Sequence, residues 1–324
     1  MNSNLRHAAM ATALVSAMIF PTTTTLAQPV SISTLPPGAI NNIQAQVAAK
    51  VLQQKGKIQV RIATFNSASN ILASVNRRHS EFGWTSNDEG GAAFRGTQEY
   101  KGKAMKNLRV AATIFHFSVG ILVKDKGPVK TIQDLKKYPT ATGWRGFTQG
   151  LSVFNAMLAT AGMSLDDVKA APSLNLITAA NDLKAGKNMA TIFASGAPKV
   201  AELNSALDGV RFISLDNSPE ALKRMKSVRP EYYIGTIQPA KHLPGIIGPT
   251  NLLQYHTVVF THDGVKDDIV YNLVKTLHTS KKELAAGHPS FRATDPANFG
   301  MDHGDVHYHP GAIKYLKEAG IWKR

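Results

Sequence analysis

The 324-residue chain contains no cysteine, which removes disulfide frameworks, thiolate metal sites and thiol nucleophiles in one step. Carboxylates are scarce beside the bases: 22 Asp and Glu stand against 37 Lys and Arg, a formal net charge of +15. Such a surplus attracts organic anions, nucleic acid and anionic head groups alike, and it carries no information on fold. The bases are dispersed in ones and twos, as at Arg77 and Arg78, Lys136 and Lys137, or Lys281 and Lys282. No block of like charge forms a nucleic-acid arm. No uncharged apolar run approaches the ~20 residues needed to cross a bilayer. The G-x-S-x-G, H-E-x-x-H and Walker A patterns are also missing, so no motif asks for an enzyme or a cofactor.

What is present reads as an ordinary globular composition, 43% hydrophobic and 18% charged, in a chain long enough for about two domains. The first residues add a location. Arg6 and His7 precede an uncharged stretch, Ala8 to Phe20, followed by Pro21 and a threonine run, with small residues at Thr25 and Ala27. Residues 1–27 are therefore expected to be a cleavable secretory signal peptide, which makes the protein periplasmic.

From Val30 onward strand-like runs alternate with helix-length segments, the pattern of an α/β protein with mostly parallel sheets and helices on both faces. The spacing predicts strands at 30–34, 58–63, 82–85, 109–114, 119–124, 140–143, 189–193, 210–214, 232–237 and 256–261. Helices are expected over 41–54, 68–77, 151–161, 178–185, 199–207 and 267–286, with short helical pieces at IQDLKKYP and LDDV. Three loops follow strands and open helices: LPPGAINN with Thr34 and Gly38, FNSASN with Ser67, Ser69 and Asn70, and WRGFTQG with Gly146, Thr148 and Gln149. In open α/β sheets ligands sit beyond the carboxyl ends of strands, where helix N-termini offer unpaired N–H groups to an anion. Capping by the same small polar residues is the plainer reading of each loop taken alone. A carboxy-terminal group, Asp302, His303, Asp305, His307 and His309, has zinc or nickel ligand types. The glycines and turns around it point instead to an exposed loop, and no metal site is assigned.

These segments resemble the TAXI family of solute receptors, the extracytoplasmic binding proteins of TRAP transporters. The resemblance runs the length of the chain after residue 27. HPGAIKYLKEAGI, His309 to Ile321, is similar to the family's closing segment; NSASN, Asn66 to Asn70, keeps the serine and asparagine of a glycine-serine-x-x-asparagine loop; SND ends at Asp88; TIQDLK, SGAP and DDIVYNLVKTL also match. Two positions depart: Ile40 stands where many members have tyrosine, and RGFTQG, with Arg145, Phe147 and Gln149, replaces glycine-serine-glycine. Those departures leave glutamate, glutamine and 2-oxoglutarate unassigned.

The resemblance implies a venus-flytrap fold, with lobe 1 over 28–120 plus 255–324, lobe 2 over 121–254, and hinge strands near Val119 and Val258. It implies a small organic anion as ligand and a TRAP permease as partner, with no nucleic acid and membrane contact only through the permease. Arg145 is the expected carboxylate partner, since a guanidinium pairs bidentately and stays charged. Ser67, Asn70, Thr148 and Gln149 supply neutral hydrogen bonds, while Phe65, Trp84, Phe147 and Phe115 supply apolar walls. Thr34, Gly38, Asn66, Asn87, Asp88, His116 and Ser195 complete the candidate site, Asp88 being the one that would hold an ammonium group, cap a helix or hold Arg145. A sensing partner of a membrane kinase, and an exported hydrolase, are the alternative functions.

Overall fold

The structure, a computed structural model, describes residues 29–37, 39–144 and 147–323, with the backbone alone at Thr148. The expected signal peptide lies outside them. The first alternating run is β1 (Val30–Thr34), α1 (Ile40–Gly56), β2 (Val60–Thr64), α2 (Ala68–Asn76), β3 (Phe82–Ser86) and α3 (Asn87–Arg95). A long strand, β4 (Leu108–Lys124), leads out of it. The second run is β5 (Thr140–Thr142), α4 (Thr148–Thr160), β6 (Ala170–Pro172), α5 (Leu176–Lys184), β7 (Ala190–Ala194), α6 (Pro198–Ala206), β8 (Val210–Phe212), α7 (Pro219–Val228) and β9 (Tyr233–Ile237). A second long strand, β10 (Thr250–His262), returns the chain, and α8 (Asp267–Thr279), α9 (Lys281–Gly287) and α10 (Pro310–Glu318) pack on the first run.

The sheet order is β2-β1-β3-β10-β4-β7-β5-β6, with β8 added to β4 and β9 to β10. Parallel pairing joins β1 to β2 and β3, and β5 to β6 and β7. The two long strands run antiparallel to each other, from Leu253 opposite Val119 to His262 opposite Leu108. The result is a mixed α/β fold whose parallel ends meet through an antiparallel middle.

Burial divides along those strands. The N-terminal half of β4 and the C-terminal half of β10 join Ile32, Trp84, Leu273, Phe291 and Leu316 in one core. The other halves join Trp144, Phe154, Ile192 and Met225 in a second. Along β4 itself, Ile121 faces this second core and its neighbour Leu122 faces a third cluster with Phe212 and Leu252. Alternate side chains leave a strand on opposite faces, so one strand serves both. The two parts are called lobe 1 and lobe 2 below.

Four expectations change. The strands expected at 109–114 and 119–124 are one, because His116 to Ser118, which break the apolar run, cross between cores without leaving the sheet. The helix expected over 267–286 ends at Thr279 and restarts at Lys281, with Ser280 at non-helical φ and ψ between them. The segment after Ser86, given no element by the sequence pattern, is α3. Its Gly90 faces the Phe260 ring so closely that a Cβ would lie 1.9 Å from the ring. Finally, α7 escaped notice although Ser218 caps it, accepting from the Ala221 N–H at 3.3 Å, and Pro219 opens it.

Gly90→Ala tests the seating of α3. Alanine gains about 1 kcal/mol of helix propensity over glycine, but overpacking against a buried ring costs about 1 to 3 kcal/mol. The urea midpoint should fall with an unchanged m-value, whereas a rise would show that Phe260 yields freely.

Candidate functional site

The carboxyl ends of β1, β2 and β3 in lobe 1, and of β5 and β7 in lobe 2, lead into α1, α2, α3, α4 and α6. At one point the first turns of helices from the two lobes touch. Gln149, in the first turn of α4, donates through Nε2 to Ser86 Oγ at 2.9 Å and to the Asp88 carboxylate at 3.1 and 3.2 Å. Asp88 opens α3 and is fully buried, where a helix N-terminus favours a carboxylate. Its Oδ2 also accepts from Tyr232 OH at 2.8 Å. Beside it Asn87 Oδ1 accepts from the His256 N–H at 2.8 Å, tying the start of α3 to β10.

Arg229, just past α7, carries the seam further. Its guanidinium, 1% exposed, donates through Nε to Ser152 Oγ at 3.0 Å, through Nη1 to the Asp88 carbonyl at 2.9 Å, and through Nη2 to both Glu99 oxygens at 2.8 and 2.7 Å. Gln98 Nε2 donates to the Val228 carbonyl at 3.3 Å, and Arg95 pairs with Glu231. The rings of Tyr232, Tyr255 and Phe117 stack alongside, with neighbouring centroids 6.0 and 5.4 Å apart.

The seam holds more acid than base, and proton affinities respond. Burial, then the charges of Asp88 and Glu99, push Glu89 up to about 8, although Tyr100 OH donates to its Oε2 and Arg229 pulls the other way. Its Oε1 is buried without a partner. Burial and the Asp88 charge raise the Tyr232 hydroxyl well above its ordinary value. On the other side of the long strands Tyr233 stacks on His256, ring centroids 5.2 Å apart, its OH 3.2 Å from Nε2. Burial, then the charge of His116, lower His256 to about 4. His256 is therefore neutral at pH 7.

The expected site residues fall into separate groups. Asn87, Asp88 and Gln149 come together at the seam, and the Asp88 carboxylate is already occupied by chain donors. Ser67 caps α2, accepting from the Asn70 N–H at 3.2 Å. Phe65 and Asn70, with Arg61, Arg77 and His79, line an open basic cavity of about 590 Å³ that lies wholly in lobe 1 beside edge strand β2. Asn66 is exposed in the same loop. Thr34 ends β1, fully buried, with its hydroxyl unpartnered. His116 is exposed midway along β4, and Ser195 follows β7, its N–H bonding the Ser118 carbonyl at 3.0 Å. Phe147 sits at the start of α4 against the second core. Gly38, Arg145 and the Thr148 side chain lie outside the described residues.

Two expected apolar walls are core instead. Trp84 is fully buried, bonds Gln44 through Nε1 at 3.2 Å and meets Phe291 edge-on. Phe115 meets the same ring from the other side. Both stand on strands whose two faces are covered. Sequence reading missed Arg229, Tyr232, Glu89 and Glu99; the one local signal was the acidic pair Asp88-Glu89 at a strand end, which marks a helix start. In the carboxy-terminal group Thr113 Oγ1 lies 2.6 Å from His303 Nε2, Asp305 pairs with Arg95, and His309 caps α10. Among the described residues no three metal-ligating side chains converge.

The NMT1-like family model matches residues 12–320. Solved structures share the architecture. A periplasmic transporter structure is 14% identical over 90% of this chain and 92% of its own, with a TM-score of 0.57. A TctC solute-binding protein from Polaromonas is 15% identical over 86% and 96%, TM-score 0.54. MatC from Rhodopseudomonas palustris with bound malate is 12% identical over 93% and 97%, TM-score 0.54. At such identities the likeness is one of fold, and the fold is that of periplasmic binding proteins.

Glu89→Gln tests the seam's electrostatics. A carboxyl whose folded pKa, about 8, exceeds its unfolded value of 4.5 gives stability that is full below pH 4.5 and is lost as pH rises through 8. The loss is about 1.4 kcal/mol per pH unit across that window. The Tm advantage of Glu89→Gln over the parent should therefore grow from pH 5 to pH 8. A constant difference would mean that Glu89 titrates normally.

Proposed function

Since the chain belongs to the NMT1-like family, we propose that it is a periplasmic solute-binding receptor that takes a small organic anion between its two lobes and delivers it to a membrane transporter. One observation carries the reading: helix first turns from both lobes meet at a single seam, Gln149 of α4 against Ser86 and Asp88 of α3. A cleft closed on two sides by helix N-termini suits an anion. Of these helices, α1, α4 and α6 begin with no side-chain cap and no acid in the first turn. By contrast, α2 is capped by Ser67, and α3 carries Asp88 and Glu89 in its first turn. The starts of α1 and α4, without a side-chain cap or an acid, support a ligand carboxylate near Thr34 and Phe147. Arg145, just ahead of α4 in the sequence, is its proposed ion partner.

The finer parts rest on the residues of the sequence. The lobes proposed to close are 28–120 with 255–324 and 121–254, the signal peptide is 1–27, and the transporter is of the TRAP type that TAXI receptors serve. Malate in MatC, a protein of the same fold, supports a carboxylate class for this receptor. Its role is capture and delivery, with no bond made or broken.

A thermal-shift panel of dicarboxylates, amino acids and aromatic carboxylates tests the class. A ligand that binds only the folded state adds RT ln(1 + [L]/Kd), about 2.7 kcal/mol at a hundred times Kd. One carboxylate class should raise Tm, and Arg145→Ala should weaken it by about 2 to 5 kcal/mol, while Arg77→Ala, in the cavity beside β2, leaves it unchanged. The opposite pattern would move the site to that cavity.

A further inference from the structure

We infer that the lobes of this protein are latched to each other by its own buried polar side chains, Arg229 and Tyr232 of lobe 2 gripping Asp88 and Glu99 of lobe 1, so that the closed form predominates before any solute binds. The inference rests on the receptor reading only in taking the lobes as bodies that move.

Arg229 is held as a strut. One nitrogen is anchored in its own lobe on Ser152, and the other two reach the Asp88 carbonyl and the Glu99 carboxylate across the seam. The three acceptors lie on three separate segments, so the fork of donors fixes angle as well as distance. Tyr232 OH and Gln149 Nε2 hold the Asp88 carboxylate from the same side. Asp88 cannot follow lobe 2 if the seam opens, because Asn87 ties the start of α3 to β10 and Gly90 seats it on Phe260. Farther along, Arg95 pairs with Glu231 and Gln98 with the Val228 carbonyl, so the grip runs the length of α3 and beyond it. Rings of Phe117, Tyr232 and Tyr255 keep water from the inner end, where charge-assisted bonds are strongest.

A ligand shifts an equilibrium only by its differential affinity for the two states. A receptor already latched closed gives a small change of shape on binding, and its solute waits on the latch to enter. The Asp88 carboxylate takes the Gln149 and Tyr232 donors, so the latch needs no ligand to complete it.

The absence of cysteine permits a clean spin-label test. Lys103→Cys and Lys223→Cys place labels at exposed positions flanking the latch, one on each lobe. In solute-free protein, freed of any co-purified ligand by unfolding and refolding, pulsed electron resonance should show one short distance. Arg229→Ala, and separately Gln149→Ala with Tyr232→Phe, should populate a longer distance, lowering the closed-to-open ratio by roughly tenfold or more. The double variant decides alone if Arg229→Ala fails to fold. A long or broad distance in the unaltered protein, or an unmoved distance in the folded variants, would overturn the latch. Either result is read without solute, so it stands apart from the ligand panel.

Discussion

A strand of seventeen residues cannot be buried by one small core, and β4 is not: its first half lies with Trp84 and Phe291, its second with Trp144 and Phe154. The same holds for β10 in reverse. Because the two strands pair with each other along most of their length, each core borrows half of two strands that the other core also needs. Everything else is arranged about that pairing. The parallel units β1-β2-β3 and β5-β6-β7 each attach to it at one edge, and their helices start where the strands end. The β4–β10 ladder therefore fixes both the tilt of the lobes and the place where their helix N-termini face each other.

Facing N-termini attract carboxylates, and the chain supplies its own. Asp88 and Glu89 begin α3, and Glu99 stands opposite Arg229. Three acids near one buried guanidinium exceed what that cation neutralises, and burying an uncompensated charge is expensive. The structure meets the excess in two ways. Asp88 collects donors from Gln149 and Tyr232, while Glu89, which collects only Tyr100, retains its proton below about pH 8. Burial and the neighbouring charges of Asp88 and Glu99 are what hold that proton on Glu89.

The alternation of strands and helices was legible because each element carries its own local pattern: apolar runs, glycine stops and polar starts. Errors arose where a local cue had a distant cause. The segment holding Gly90 and Gly91 showed no helix pattern, yet Gly90 sits in α3 where Phe260, 170 residues on, leaves no room for a side chain. His116 to Ser118 read as a break between strands, but they are the stretch where β4 passes from one core to the other. Asp88 was singled out, while Tyr232 and Arg229 were not, since their link to it spans more than 140 residues and leaves no trace in spacing. Trp84 and Phe115 were read as pocket walls because aromatic residues near strand ends suit both roles. Burial on both faces of the sheet decides between them.

The placement of Asp88 also bears on where a solute can lie. On the receptor reading a ligand carboxylate needs unpaired donors, and Gln149 and Tyr232 already give theirs to Asp88. Like charges within a few ångströms in a water-poor seam repel by several kcal/mol at an effective dielectric near 20. On that reading a ligand anion is disfavoured beside Asp88, and the start of α1, which carries neither a side-chain cap nor an acid, is the better seat. The proposed latch and the proposed anion seat then draw on different helix starts, α3 for the first and α1 for the second.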